Sequence, residues 1–356
     1  MVLSFCEGIN CITGPNGVGK TNILDALHYL SFTRGFRNTQ DRLAVKDGES
    51  FFFNGATLVK ENKSHQVHCN FVKGKGKKIL INKKPLKKMS EHIGRIPMVA
   101  ILPIDTDLIN GPSAGRRKLL DMLISQYNPL YLRHLIQYDK LIEQRNALLK
   151  LFGEQRFFDK DQLDIYNAQL IPHGRAIHQG RSAFLVDFEP IFQSYFHKIV
   201  NQKETPTIIY RSHVQENTED GWKQLLSESL EKDLSNQYSG TGVHRDDLIF
   251  TIDAHSTRNY GSQGQQKTFV IALKLAQYLL LQQQTNLNPI LLLDDIFDKL
   301  DEHRLQQIAQ LLSEEVEGQI FITDTSLERL QGIFKVSTNK PVAFYSVIDG
   351  EVSVVD

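Results

Sequence analysis

The chain has 356 residues, of which 41% are hydrophobic and 23% are charged, and its 41 Lys and Arg balance 41 Asp and Glu. The length predicts two or three domains, and the composition excludes a disordered or collagen-like chain. The apolar runs fall far short of the roughly 20 residues of a membrane span, and the three cysteines form no C-x-x-C pair. We therefore expect a soluble, cytoplasmic protein that has no membrane partner.

The first predicted elements are a strand, a glycine-rich loop and a helix. A weakly alternating segment leads into the loop, and apolar residues from Ile23 to Leu30 recur with helical spacing. The loop fits the phosphate-binding pattern G-x-x-x-x-G-K-[ST] at every fixed position. Its residues are Gly14, Pro15, Asn16, Gly17, Val18, Gly19, Lys20 and Thr21.

This loop predicts a nucleotide-binding site. Its glycines allow backbone N–H groups to surround phosphates, and the N-terminus of the following helix adds a favourable dipole. We expect Lys20 to reach the β- and γ-phosphates of ATP and the Thr21 hydroxyl to bind Mg²⁺. The alternative is a chance glycine turn before a helix, which the Lys-Thr pair in this context argues against.

Three short strands follow and predict an antiparallel patch, at residues 51–60, 65–73 and 77–82. This part of the chain is strongly basic, because residues 60–95 contain eleven Lys or Arg and two acidic residues. We expect Lys75, Lys77 and Lys78 to contribute to DNA binding through phosphate contacts. A solvated, lysine-rich hairpin that deters edge-to-edge aggregation is the alternative.

The centre of the chain is predicted to be mostly helical. After a buried strand at 96–102, four segments lack strand alternation, at 113–125, 129–152, 161–200 and 221–234. A mixed pattern returns after residue 235, with strands at 248–252, 290–293, 319–323 and 342–355 and helices at 265–284 and 304–312. We therefore predict an α/β head formed by residues 1–112 and 236–356, with an inserted helical arm at 113–235.

Two interpretations stay open for the segment Ser262, Gln263, Gly264 and Gln265, which precedes the predicted helix at 265–284. Ser262 and Gln265 lie three residues apart and fit a capping box. A helix start that is rich in Gly and Gln also presents free N–H groups and a hydroxyl to an anion. The segment therefore predicts either a helix cap or a second phosphate-binding surface.

The apolar run Ile290–Leu293 is followed by Asp294 and Asp295. A buried parallel strand that delivers two carboxylates at its C-terminal end suits Mg²⁺ and an attacking water. We expect Asp294 to hold Mg²⁺ and Asp295 to be the catalytic residue that orients or deprotonates water. A surface turn after a strand is the alternative.

Taken together, these motifs resemble the ABC-type ATPase heads of the SMC and DNA-repair group, and within that group the RecF family. The phosphate loop, the S-x-G-Q-Q element at 262–266 and the Asp pair at 294–295 occur in the family's order. Four further segments match family patterns, at 34–37, 116–121, 242–248 and 298–301. The resemblance covers nearly the whole chain and implies an ABC-type P-loop ATPase head that is built from both chain ends, with an inserted arm.

The resemblance also implies how the protein acts. It implies an ATP-dependent, head-to-tail homodimer in which each ATP lies between residues 14–21 of one protomer and residues 262–265 of the other. Asp301 would lie in the loop that contacts the opposing protomer. Slow ATP hydrolysis, binding to double-stranded and gapped DNA, and recombinase loading with the partners RecR and RecO are implied as well.

Three features depart from the family pattern. Members usually carry a further strand ahead of the segment that matches residues 3–14, Val243 stands where Pro is usual, and no His follows the strand at 319–323. The role of His244–Asp247 stays open, with local ion pairs beside a strand as the simpler interpretation.

Two other classes of protein share a phosphate loop of this kind. A transporter nucleotide-binding subunit would place its signature roughly a hundred residues after the phosphate loop, whereas Ser262 lies 242 residues after Lys20. The head of a long coiled-coil chromosome protein would require sustained heptads, which the central segment lacks.

Overall fold

The computed structural model describes residues 1–36, 40–60, 63–200, 204–298 and 300–355. The strands are β1 Ile9–Thr13, β2 Phe51–Lys60, β3 Lys63–Val72, β4 Gly76–Ile81, β5 Lys84–Pro85, β6 Met98–Ile101, β7 Pro206–Arg211, β8 Asp247–Ile252, β9 His255–Ser256, β10 Ile290–Asp294, β11 Ile320–Asp324, β12 Val342–Ile348 and β13 Glu351–Val355. The helices are α1 Lys20–Phe32, α2 Asp107–Asn110, α3 Ser113–Tyr127, α4 Pro129–Gln155, α5 Lys160–Val200, α6 Glu219–Glu228, α7 Leu230–Asn236, α8 Thr257–Tyr260, α9 Gln263–Thr285, α10 Glu302–Glu314 and α11 Leu327–Ser337.

The long predicted elements are present, whereas the short helices α2 and α8 and the eleven-residue helix α11 were not predicted. The segment predicted as a helix at 161–200 is the 41-residue helix α5, which contains Pro172 and Pro190. Helix α11 was not predicted, although Ser326 caps it by accepting a hydrogen bond from the Arg329 backbone N–H. A serine before an apolar helical pattern is a recognisable start signal. Among the described helices, none has the length and hydropathy needed to cross a membrane.

The chain divides into two compact units, and the first comprises residues 1–105, 198–200 and 271–356. Its six-stranded sheet has the order β13-β12-β1-β11-β10-β6, in which β13 is antiparallel and the other neighbours are parallel. Every residue of β1 and β11 is buried, as is typical of parallel strands that are covered on both faces. The carboxyl ends of β1, β11 and β10 therefore meet at one edge of this sheet.

The first unit also contains the antiparallel sheet β2-β3-β4-β5, which confirms the predicted patch of short strands. One face of this sheet packs on α1, where Cys69 and Ile79 lie against Tyr29. A second cluster joins Leu30 of α1 to Val67 of β3. Because side chains alternate along a strand, the neighbouring residues lie on the opposite face.

The second unit comprises residues 106–197 and 201–270 and combines helices with the small sheet β7-β8-β9. The second unit includes residues 236–270, which lie beyond the predicted end of the arm at 235. Two ion pairs join these residues to helices α3 and α5, and one strand pairing joins them to β7. Arg116 of α3 binds both carboxylate oxygens of Asp247, at 2.6 and 3.1 Å. Arg181 of α5 binds Asp246 at 2.8 Å, and β8 pairs with β7.

The segment His244–Asp247 forms internal contacts, and its ion pairs are with distant helices instead of local partners. His244 contacts the Tyr138 hydroxyl through Nδ1 at 2.9 Å and the Ser239 carbonyl through Nε2 at 3.0 Å. Burial lowers the pKa of His244 to about 4, so this ring is neutral at pH 7. The Arg245 guanidinium also donates to the Ser239 carbonyl. The segment is therefore held by ion pairs, as expected, but these pairs join it to distant helices and are not the expected local ones.

Candidate functional site

The phosphate loop connects β1 to α1 in the first unit. Gly14, Gly17 and Gly19 have φ angles of 149°, 86° and 106°, which side-chain-bearing residues rarely adopt. A Cβ on Gly14 would lie 2.3 Å from the Val347 carbonyl oxygen, so no other residue fits there without displacing the backbone. Helix α1 begins at Lys20, and the unpaired N–H groups of a helix start favour an anion at this point.

The side chain of Lys20 is held inside this loop. Its ammonium donates to the carbonyl oxygens of Gly14 at 2.6 Å and Pro15 at 2.8 Å. Burial lowers the pKa of this ammonium, while the carboxylates of Asp295 and Asp294 act in the opposite direction. The loop therefore carries a positive charge at the place where its pattern predicts phosphate oxygens.

Thr21 and Asp294 are brought together across 273 residues of sequence. The Thr21 hydroxyl donates to Asp294 Oδ1 at 3.0 Å, and the Thr323 hydroxyl donates to the same oxygen at 2.7 Å. Asp294 is the last residue of β10 and is buried. A hydroxyl and a carboxylate at this separation offer the hard oxygen ligands that Mg²⁺ prefers.

Asp295 follows directly and adopts a left-handed backbone with φ of 49°. Its N–H donates to the Thr323 carbonyl at 3.2 Å, which anchors the turn to the neighbouring strand β11. Burial raises the pKa of the Asp295 carboxyl, and the negative charges of Asp324, Asp298 and Asp294 raise it further. Such a carboxyl can exchange a proton with water closer to neutral pH than an ordinary aspartate can.

Three residues of this site were not found from the sequence: Thr323, Asp324 and Arg329. Asp324 ends β11 beside the Asp pair and is fully buried, with Oδ1 accepting from Arg329 Nη2 at 2.6 Å. Its Oδ2 is buried and has no hydrogen-bond partner within the described part of the chain. No histidine follows this strand; the sequence signal that could have identified Asp324 is an acidic residue at the end of a buried parallel strand.

Ser262 and Gln265 form the predicted capping box at the start of α9. The Gln265 N–H donates to Ser262 Oγ at 3.2 Å, and the Ser262 N–H donates to Gln265 Oε1 at 2.9 Å. Both Ser262 and Gln263 are exposed. Because the cap uses the hydroxyl oxygen as an acceptor, the hydroxyl proton can still be donated to an anion. The cap is confirmed, and a second role for the serine is compatible with it.

Asp301 is the N-cap of α10. Its carboxylate accepts from the Arg304 N–H at 2.9 Å and lies 3.3 Å from Arg304 Nε, with 55% of the side chain exposed. Two residues of the segments that match family patterns, Arg37 and Lys299, lie outside the described residues.

The three lysines predicted to contact DNA do not share one environment. Lys75 and Lys78 are exposed. The Lys77 ammonium forms an ion pair with Asp41 at 2.9 Å and donates to the Thr33 carbonyl, and only 15% of its side chain is exposed. Strand alternation turns Lys77 toward α1, so we remove it from the predicted phosphate contacts and keep Lys75 and Lys78.

The chain is similar to known proteins in both sequence and structure. Residues 1–343 match the family model for the RecF/RecN/SMC N terminal domain. The DNA replication and repair protein RecF of Flavobacterium johnsoniae is 45% identical over 95% of this chain and 93% of its own length. RecF of Cytophaga hutchinsonii is 41% identical over 98% of this chain and 92% of its own length.

Solved structures give the same result. The recombination mediator protein RecF with ATP, from the RecFOR pathway, has a TM-score of 0.88 and 30% identity over 99% of this chain and 93% of that one. An SMC head bound to the C-terminal winged-helix domain of ScpA has a TM-score of 0.55 at 14% identity over 99% of this chain and 91% of that one, which shows the fold alone.

The chain therefore belongs to the RecF/RecN/SMC family, and its fold is the predicted α/β, ABC-type ATPase head. Within that family it is grouped with the RecF proteins of DNA replication and repair. This membership separates it from the transporter nucleotide-binding subunits.

Proposed function

We propose that this protein is an ATP-dependent DNA-binding protein of recombinational repair and replication-fork maintenance. The observation that carries the proposal is the convergence of Lys20, Thr21, Asp294 and Asp295 at one edge of the parallel sheet, in a chain of the RecF family. Relatives that cover nearly its whole length are named for DNA replication and repair, and a similar solved structure is named for its complex with ATP.

The phosphate loop would bind ATP. Residues 14–21 would surround the β- and γ-phosphates with backbone N–H groups, and Lys20 would leave its carbonyl partners to neutralise phosphate charge. The Thr21 hydroxyl and the Asp294 carboxylate would hold Mg²⁺, whose role is to offset the negative charge that develops on the phosphates. This oxygen-only pair, in which Asp294 is buried and Thr21 is half-buried, fits such an ion.

Asp295 would hold the attacking water. Its raised pKa and its position one residue beyond Asp294 suit a carboxylate that accepts a hydrogen bond from water beside the γ-phosphate. Asp324 and Arg329 would tune this group through their charges, since Asp324 raises the pKa of Asp295 and Arg329 lowers it. Hydrolysis is proposed to be slow and to reset the DNA-bound state.

Two protomers are proposed to associate head to tail around two ATP molecules. Ser262–Gln265 of one protomer would contact the γ-phosphate held by the other, and Asp301 would lie in the contact between them. The support is the exposed, capped start of α9, which offers N–H groups and a hydroxyl to an anion.

The proposed ligands and partners follow from the family. The dimer would bind double-stranded and gapped DNA in the cytoplasm and help to load a recombinase. RecO and RecR are proposed as partners because a similar solved protein is described as a mediator in the RecFOR pathway.

The proposed function is tested by measuring sedimentation and DNA binding with no nucleotide, ADP, ATP or a slowly hydrolysed ATP analogue. We expect a dimer and tight DNA binding with ATP or the analogue only. Lys20→Ala should lose ATP binding and both responses, whereas Lys150→Ala, which removes an exposed lysine of α4, should retain them. Normal ATP affinity of the Lys20→Ala protein would overturn the assignment of the loop.

A further inference from the structure

One face of the sheet β2-β3-β4-β5 is turned away from α1, and we call it the outer face. Phe52, Cys69 and Ile79 mark the inner face, because they pack against Tyr29. The alternation of side chains places their neighbours outside. The outer face thus includes Phe51, Phe53, His68, Asn70, Lys78 and Leu80, and Phe51 and Phe53 are 54% and 61% exposed.

Two rings form a shallow platform on this outer face. The Phe53 and His68 rings contact each other, with centroids 5.3 Å apart and planes inclined by 53°, so a flat base can stack on only one of them. Gly55 lies directly across from His68 in the strand register, and a Cβ there would lie 2.7 Å from the His68 ring and 3.1 Å from the Phe53 ring. The missing side chain at residue 55 therefore allows both rings to lie close to the strand and leaves an apolar surface open to solvent.

The surroundings of this platform are strongly basic. Residues 63–90 contain nine lysines and no Asp or Glu. Lys77 is ion-paired, and the other eight are exposed: Lys63, Lys73, Lys75, Lys78, Lys83, Lys84, Lys87 and Lys88. Lys78 shares a row with the platform, because Phe53 pairs with Asn70 and Asn70 pairs with Lys78. Two strand spacings, about 10 Å, separate Lys78 from Phe53.

We propose that the outer face binds a single-stranded segment of DNA, with an unpaired base stacked on the Phe53 ring beside His68 and with Lys78 and Lys75 on the adjacent phosphates. This inference rests on the DNA binding of the proposed function and names the strand form that this face recognises. A polyanion whose units each carry an aromatic face is complementary to exposed rings among lysines. Duplex DNA presents only base edges in its grooves, so its bases do not stack on a sheet face.

The test compares three DNA ligands: a dT oligonucleotide, a blunt duplex of the same length and a gapped duplex, each with the slowly hydrolysed ATP analogue. Phe53→Ala should weaken dT binding about tenfold or more, weaken binding to the gapped duplex and leave blunt-duplex affinity and the ATP-dependent dimer unchanged. Phe53→Trp should retain dT affinity. Because the native chain has one tryptophan, the buried Trp222, the fluorescence of the new indole should be quenched by dT but not by the blunt duplex.

Salt dependence separates stacking from phosphate contact. Phe53→Ala should leave the slope of log affinity for dT against log salt unchanged, and Lys78→Gln should reduce it by about 0.7. If Phe53→Ala binds dT as tightly as the native protein does, or loses equal affinity for dT and for the blunt duplex, the proposal that a base stacks on Phe53 is wrong. Duplex binding by the native protein would still support the proposed function in that case. Native protein that binds none of the three DNAs with the ATP analogue would overturn both.

Discussion

At the scale of single residues, Asp295 combines a carboxyl of raised pKa with a position next to the proposed Mg²⁺ ligand. The ionised form accepts hydrogen bonds from water and the protonated form does so poorly, so ATP hydrolysis should fall as the pH drops through this raised pKa. Asp295→Asn should retain ATP binding, lower the hydrolysis rate and remove that part of the pH dependence. Steady-state turnover measured from neutral pH downward is the measurement, and an unchanged rate in the variant would show that another group orients the water.

At the scale of an element, the start of α9 combines a cap with a proposed contact to a second protomer. As a cap alone, Ser262→Ala would cost about 1 kcal/mol of stability and leave ATP-driven association intact. Ser262→Arg should bind ATP normally as a monomer but form no ATP-dependent dimer, because its bulk would lie in the interface. Mixing Ser262→Arg with Lys20→Ala protomers should restore some dimer, since one composite site then carries neither defect. Sedimentation with and without ATP measures the dimer fraction. If Ser262→Arg forms as much ATP-dependent dimer as the native protein, Ser262 is a helix cap only.

Lys77 and Lys78 are consecutive residues of β4, so strand alternation places them on opposite faces of the sheet and makes each a control for the other. Lys77→Gln should lower the unfolding midpoint, because it breaks the ion pair with Asp41, and should leave the salt slope of dT binding unchanged. Replacing Lys75 and Lys78 by Gln should leave stability unchanged and reduce that slope by about 1.4, if both lysines contact phosphates. Thermal unfolding and salt titrations measure these effects. If Lys77→Gln reduces the salt slope and the replacement of Lys75 and Lys78 does not, Lys77 and not Lys78 contacts the DNA.

At the scale of the whole molecule, each unit is assembled from segments that are distant in sequence. In the first unit, β1 lies between β11 and β12, which are contributed by the other end of the chain. In the second unit, Arg181 is buried and binds both Asp121 and Asp246, at 2.9 and 2.8 Å. These contacts hold residues 236–270 to the helices that precede them.

We therefore expect Arg181→Leu to destabilise the second unit strongly, by about 3–5 kcal/mol, because it leaves the buried Asp246 without its charge partner. Urea unfolding would measure the loss. The double variant Arg181→Leu with Asp246→Asn should recover part of the stability, since the uncompensated charge is then gone. A single variant as stable as the native protein would show that these ion pairs do not hold β8 in place.

The sequence by itself determined the features that depend on local pattern. The phosphate loop, the apolar strand that ends in Asp294 and Asp295, the antiparallel basic strands and the cap at Ser262 each occupy a short window in which residue type and spacing define the geometry. Their order along the chain was enough to indicate the family, and the comparisons confirm it.

Only the tertiary structure decided which distant residues meet. It added Thr323 and Asp324 to the candidate nucleotide site, paired Lys77 with Asp41 and extended the second unit to Val270. These facts depend on which strands become neighbours and on which charges are buried together. Both are set by the free energy of packing the whole chain, and no local window of sequence contains them.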